Sequence, residues 1–206
     1  MEQTIFTIGH STHPQEHLIA LLERHGITAV CDVRSKPYSR VNPQFNRENL
    51  TKALALRGIA YRFLGKELGA RSEDPSCYEG DKVQYARLAE TQLFKNGIKR
   101  ILRGIKDGFR IALMCAEKEP LDCHRTILIA PHLTALEISV QHIHADGHLE
   151  NHDAASLRLA QQLNLPDTHM FSSQADLIAD AYRLQEERIA YNRSRAEPTI
   201  VRDGAA

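Results

Sequence analysis

One unit repeats along the chain and constrains its fold more than any other feature: an apolar stripe at helical spacing, a glycine, then a short run rich in β-branched residues. Thr4–Ile8 reads as a first strand. Leu18, Ile19, Leu21 and Leu22 form the stripe that follows, with Pro14 at the helical start and Gly26 at its stop. Ile27–Val33 reads as a second strand, and Asn46 is placed to cap a helix through Leu50, Leu54 and Leu56 that ends at Gly58. A third strand is expected over Ile59–Leu64, and a long helix over Val83–Lys106 with a break at Gly97. Gly108 then precedes a fourth strand, Arg110–Met114, a helix over Thr126–Leu136 and a fifth strand, Ile138–Ile143. This alternation predicts an α/β fold: a mainly parallel sheet of about five strands flanked by helices, with right-handed crossovers and a C-terminal helical extension.

The expected organisation is an α/β core over residues 1–152, a helical extension packed on it over 153–194 with an interruption at Pro166, and a flexible tail over 195–206. Ser35–Phe45 and Gly65–Gly80 carry proline, glycine and polar residues and read as loops, long enough to suggest function. Within the second, Leu64-Gly65-x-x-Leu68-Gly69 has the spacing that lets a backbone approach a ligand closely, and Tyr61 and Arg62 precede it as candidates to contact a base.

Lysine plus arginine equals aspartate plus glutamate at 26 each, so the whole chain carries no strong electrostatic footprint for duplex nucleic acid. A basic concentration at Arg34, Lys36, Arg40, Arg47, Lys52, Arg57 and Arg62 keeps nucleic acid open as a partner. No apolar run is long enough for a membrane span, and Met1–Ile5 lacks the basic-then-apolar start of a secretory signal, so no membrane partner and a cytoplasmic location are expected. Four cysteines in 206 residues make reduced thiols the expectation rather than a disulfide scaffold.

In open α/β sheets ligands bind beyond the carboxyl ends of the strands, and here the reactive residues follow the strands. The first strand runs into His10-Ser11, the second into Asp32-Val33-Arg34-Ser35, and the fourth into Cys115-Ala116-Glu117-Lys118, with Asp122-Cys123-His124-Arg125 opening the next helix. Aspartate and serine at such positions often only cap a helix, but histidine and arginine are poor caps. The leading reading is an enzyme-like site for a small anionic substrate, nucleotide-like or phosphorylated. Arg34, Arg125, Ser11, Ser35 and Tyr61 are its binding candidates, and Cys115, His10, Asp32, Glu117 and His124 its catalytic candidates. Cys115 is the nucleophile or ligand there, the alternative for it being a buried small hydrophobe. The competing reading is a divalent-metal site on Cys115, Cys123 and His124, with His10 as an optional further ligand. A second histidine set, His142, His144, His148 and His152, can join it only if the fifth strand ends beside the fourth. Cys31 reads as core and Cys77 as an incidental loop residue.

These motifs together resemble the bacterial and archaeal family catalogued as domain of unknown function 488. The resemblance is carried by Thr7-Ile8-Gly9-His10-Ser11, Asp32-Val33-Arg34-Ser35-x-Pro37-x-Ser39, Gly58-Ile59-x-Tyr61, Leu64-Gly65-x-x-Leu68-Gly69, Leu113–Lys118 and Cys123-His124-Arg125, with His142-Ile143 as a closing strand. It spans about Thr4 to His152 and implies a cytosolic α/β fold without implying an activity. Its signature positions coincide with those chosen from the strand ends. The extension after Asn151 lies outside it and offers a surface for packing or for a homodimer.

Overall fold

A computed structural model describes residues 3–165 and 173–195. The expected break at Pro166 and the tail from residue 196 onward lie outside the described residues. The elements that build the sheet are β1 (Thr4–Gly9), β2 (Ala29–Asp32), β3 (Ala60–Phe63), β6 (Ile111–Cys115), β7 (Ser139–Ile143) and β8 (Leu149–Asn151). A separate short hairpin pairs β4 (Tyr78–Glu79) with β5 (Lys82–Val83). The sheet order is β3-β2-β6-β1-β7-β8, parallel throughout except for β8, which runs antiparallel to β7.

Successive side chains of a strand face opposite ways, and two separate cores follow from that alternation. Phe6 and Ile8 of β1, Val30 of β2 and Ala112 and Met114 of β6 pack beneath α1 (Gln15–Arg24) and α2 (Arg47–Ala55). On the other face Ile5, Ala29, Cys31, Ile111 and Leu113 pack against Phe94, Ile98 and Ile101 of α5 (Gln92–Lys106), Leu133 of α6 (Ala130–Thr134), Leu159 of α7 (His152–Gln162) and Ala181 of α8 (Gln174–Ile189). The fold is therefore doubly wound. The crossover from β1 leads outward to β2 on one face, and the crossover from β6 leads to β7 on the other. The adjacent strands β1 and β6 thus send their crossovers to opposite faces of the sheet, the arrangement at which open α/β sheets place ligands.

Several local expectations shift. The long helix divides before residue 97: α4 (Tyr85–Glu90) ends and Thr91 caps α5, its hydroxyl accepting from Phe94 N–H at 3.1 Å. Gly97 sits inside continuous helix, close against the side chains of Glu67 and Leu68 of α3 (Gly65–Leu68), so its lack of a side chain serves helix contact rather than a break. Asn46 does precede α2, but its amide oxygen accepts from Ser39 N–H at 2.7 Å and ties down the loop instead of capping the helix. The Gly65–Gly80 stretch holds α3 and half of the small hairpin, and Cys77 is buried in the core rather than incidental. The helix expected over Thr126–Leu136 begins as a π-helical turn, Arg125–Ile129, before α6.

Candidate functional site

The ladder between β1 and β6 continues past the strands. His10 N–H bonds to Cys115 O and Ser11 N–H to Ala116 O, both at 2.9 Å. The chain after β6 lies so close to β1 that a Cβ on Gly9 would overlap the carbonyl of Glu117, which explains the Gly-His pair at this exit. Val33 N–H bonds to Met114 O at 3.0 Å on the opposite side, so the exits of β1, β2 and β6 form one mouth.

On the β2 side the Arg34 guanidinium is locked in place. Its Nε donates to Asp32 Oδ1 at 2.9 Å and its Nη2 to Asp32 Oδ2 at 2.6 Å, a bidentate pair buried from solvent. Nη2 also donates to Phe45 O at 2.8 Å, and Nη1 lies 3.1 Å from His10 Nε2. Guanidinium carries donors only, so His10 Nε2 accepts, and His10 Nδ1–H donates to Ser11 O at 2.8 Å. Burial, with help from Arg34, pushes the His10 pKa down to about 4, which keeps the ring neutral. Tyr61 completes the group by donating its hydroxyl to Asp32 Oδ2 at 2.7 Å. Arg34 and Tyr61, expected to bind substrate, spend these donors within the protein, although Arg34 also lines the neighbouring cavity. Both belong to a closed network with His10 and Asp32 that braces the β2 exit.

On the β6 side two thiols and an imidazole converge. His124 Nε2–H donates to Val33 O at 3.1 Å, so Nδ1 carries the lone pair in the neutral ring. Burial opposes a charged ring, but the neighbouring Cys123 and Glu117 work against it, raise the ring's pKa and favour a proton on Nδ1 in the absence of a cation. That nitrogen stands 3.7 Å from Cys115 Sγ and 3.7 Å from Cys123 Sγ. All three donor atoms lie within 4.8 Å of one another, and all three residues are buried. Glu117 Oε2 is 3.0 Å from Cys123 Sγ, and Arg125 N–H points to the same sulfur at 3.5 Å. Burial opposes a Cys123 thiolate, but Cys115, Arg125 and His124 outweigh it and hold Cys123 well below the ordinary thiol range. Burial and the neighbouring Cys123 push Cys115 the other way and also raise Glu117.

Arg125 is fully buried. Its Nη1 donates to Glu117 O at 2.8 Å and its Nη2 to Lys118 O at 3.4 Å. It clamps the 117–118 loop from within and sets a positive charge beside the sulfurs, where sequence reading had aimed it at a substrate.

A cavity of about 210 Å³ opens over this cluster, lined among others by Cys115, Glu117 and His124 and by Arg34, Ser35, Lys36 and Arg71. Of the expected residues, the mouth brings together His10, Asp32, Arg34, Ser35, Cys115, Glu117, Cys123, His124 and Arg125. Ser11, in a left-handed backbone conformation, is spent on the β1–β6 ladder. Asp122, expected at this strand exit, lines the cavity, as do Arg71, Tyr85 and Tyr191, which no sequence pattern marks. Arg71 and Tyr191 arrive from distant chain segments. The Leu64-Gly65-x-x-Leu68-Gly69 stretch meets protein rather than ligand: a Cβ on Gly65 would overlap Arg34 O.

The second histidine set is elsewhere, because β1 separates β7 from β6. His142 and His152 form a buried hydrogen-bonded chain. Ser156 Oγ–H donates to His152 O at 2.7 Å, so Ser156 must accept from Tyr182 O–H at 2.6 Å. Tyr182 in turn accepts from His152 Nε2–H at 2.9 Å, His152 Nδ1 accepts from His142 Nε2–H at 3.1 Å, and His142 Nδ1 accepts from Thr7 Oγ1–H at 2.8 Å. Nearby, His144 pairs with Glu150 at 2.8 Å and His148 with Asp146 at 2.6 Å.

Among protein families, the model of the one described as Domain of unknown function DUF488 matches residues 14–130. No curated protein and no solved structure matches the chain.

Proposed function

The chain belongs to the DUF488 family, whose description states no activity, and from the site itself we propose a metal-dependent enzyme whose cation is held by Cys115 Sγ, Cys123 Sγ and His124 Nδ1. One observation carries this reading. In a tetrahedral zinc site, with Zn–S about 2.3 Å and Zn–N about 2.0–2.1 Å, sulfur and nitrogen ligands stand about 3.6 Å apart. The two S···N distances here are both 3.7 Å. A single imidazole lone pair has no use for two thiols, whereas a cation uses all three. The bond from His124 Nε2–H to Val33 O is the outer-shell support that fixes a ligating ring, and Arg125 offsets the charge of the sulfurs.

Two thiolates and an imidazole suit zinc first, and three protein ligands with a cavity beside them suit a catalytic rather than a closed structural site. Such a cation would polarise a substrate oxygen or activate water. Glu117, beside Cys123 and lining the cavity, is the candidate base. A cysteine nucleophile is the weaker reading. The sulfur that lines the cavity, Cys115, is the one held protonated, and the one favoured as thiolate, Cys123, does not line it.

Elemental analysis of protein purified without chelators tests the proposal. One equivalent of zinc or a similar ion is expected in the wild type, with loss of at least a hundredfold in affinity in Cys115→Ser, Cys123→Ser and His124→Ala. Wild-type protein that neither contains nor takes up a divalent ion would sink the metal centre.

A further inference from the structure

We infer that the substrate is a small molecule bearing an oxyanion, held by Lys36 and Arg71 in the cavity with its reacting end toward Cys115 and His124. This rests on the metal reading for its reacting end and on separate residues for its anion.

Arg34 and Arg125, the arginines nearest the strand exits, are committed to Asp32, Phe45, Glu117 and Lys118. Lys36 and Arg71 are different. Both are exposed and both line the cavity. Among the described residues, neither has a carboxylate within ion-pair distance, while Arg57, Lys95, Arg100 and Arg158 all do. The Arg71 guanidinium lies 4.6 Å over the Tyr191 ring, a stacking that fixes its plane and leaves its N–H edge free for a bidentate oxyanion contact. Ser35 Oγ accepts Arg71 N–H at 3.0 Å, so it joins the two cationic segments and keeps its own hydroxyl proton to donate.

The exposed residues of the cavity lining are Lys36 and Arg71, both without a carboxylate partner among the described residues, and Glu117 and Asp122, while Cys115 and His124 line it from the buried side. An oxyanion is drawn to the two unpaired cations, and the buried sulfurs repel it unless a cation neutralises them. The cavity of about 210 Å³ suits a small metabolite or the charged end of a larger one.

The test uses inorganic phosphate as probe and Co²⁺ as a coloured substitute for the native ion. Isothermal titration of phosphate into Co²⁺-loaded wild type is compared with the Lys36→Gln/Arg71→Gln double variant and with metal-free wild type. The expected result is a dissociation constant at least tenfold higher in the double variant, whose cobalt–thiolate absorption before phosphate is unchanged, and weaker binding in the metal-free protein. Phosphate binding equal in wild type and double variant, or undetectable in wild type, overturns the anion site whatever the cobalt spectrum shows. Absence of cobalt–thiolate absorption in wild type overturns the metal centre instead, and the titration of metal-free protein against the double variant still decides the role of Lys36 and Arg71.

Discussion

Two buried polar clusters occupy the same face of one sheet, and both use histidine, yet they are built on opposite principles. Around His142 and His152 every donor meets an acceptor: the chain from Thr7 to Ser156 runs in one direction and closes on a backbone carbonyl. Around His124 the electron-pair donors converge instead, two sulfurs and a ring nitrogen facing one another, while the ring's proton is directed away to Val33 O. A satisfied chain contributes rigidity and specificity, and nothing needs to be added to it. Converging lone pairs repel until a cation or a proton lies among them. Histidine count alone therefore separates structure from function poorly, and the direction of each ring's proton separates them well.

The largest expected effect follows from that contrast. His124→Ala abolishes stoichiometric metal binding, whereas His142→Ala leaves the metal content at one equivalent and lowers the melting temperature. Metal analysis of the two purified variants, beside their melting curves, checks both halves, and metal lost equally from both would erase the distinction. Next in size is the brace at the β2 exit. Asp32→Ala strands the Arg34 guanidinium without its bidentate partner, and chemical denaturation should record a loss of about 3–5 kcal/mol.

Tyr182→Phe cuts the structural chain at one point, leaving His152 Nε2–H buried without an acceptor, for about 1–3 kcal/mol with metal affinity unchanged. An unaltered denaturation midpoint would mean that the chain adds nothing to stability.

The last effect is a pH dependence, whose size grows with the span of pH covered. Burial holds His152 at about 4, and burial with the neighbouring His152 holds His142 at about 2. An unfolded imidazole protonates near pH 6.5, so below that the unfolded chain binds protons the folded one refuses. The resulting contribution to stability is complete above pH 6.5 and is lost as pH falls toward about 4, at up to about 1.4 kcal/mol per pH unit for each ring. Melting curves from pH 7.5 to 4.5 should show this fall, and it should be shallower in a His142→Gln/His152→Gln variant.

Much of this was legible in the residues. The β1, β6 and β7 strands, the α1 and α2 stripes and the cluster of reactive residues at strand ends all follow from periodicity, because a half-buried element writes its buried face into the sequence. Cys115, Cys123 and His124 stood out as a metal set for the same reason, being close in the chain and flanking a strand end. The roles of the arginines did not come through. Arg34 and Arg125 looked like anion binders because charge invites that reading, but their partners, Phe45 O and the carbonyls of Glu117 and Lys118, are backbone atoms that carry no sequence signature. β8, the short hairpin and the capping by Thr91 were too brief to generate a period.

The sequence by itself determined the α/β class, the two apolar faces and the identity of the candidate sulfur and imidazole donors, since each depends on residue type and local spacing. Only the tertiary structure decided the strand order, and with it which reactive residues share a mouth. It alone brought Arg71 and Tyr191 to the same cavity as Cys115, and it alone assigned the ring protons of His124, His142 and His152. Those outcomes rest on contacts between residues far apart in the chain, where a hydrogen bond's direction is set by the partner it finds rather than by the residue that offers it.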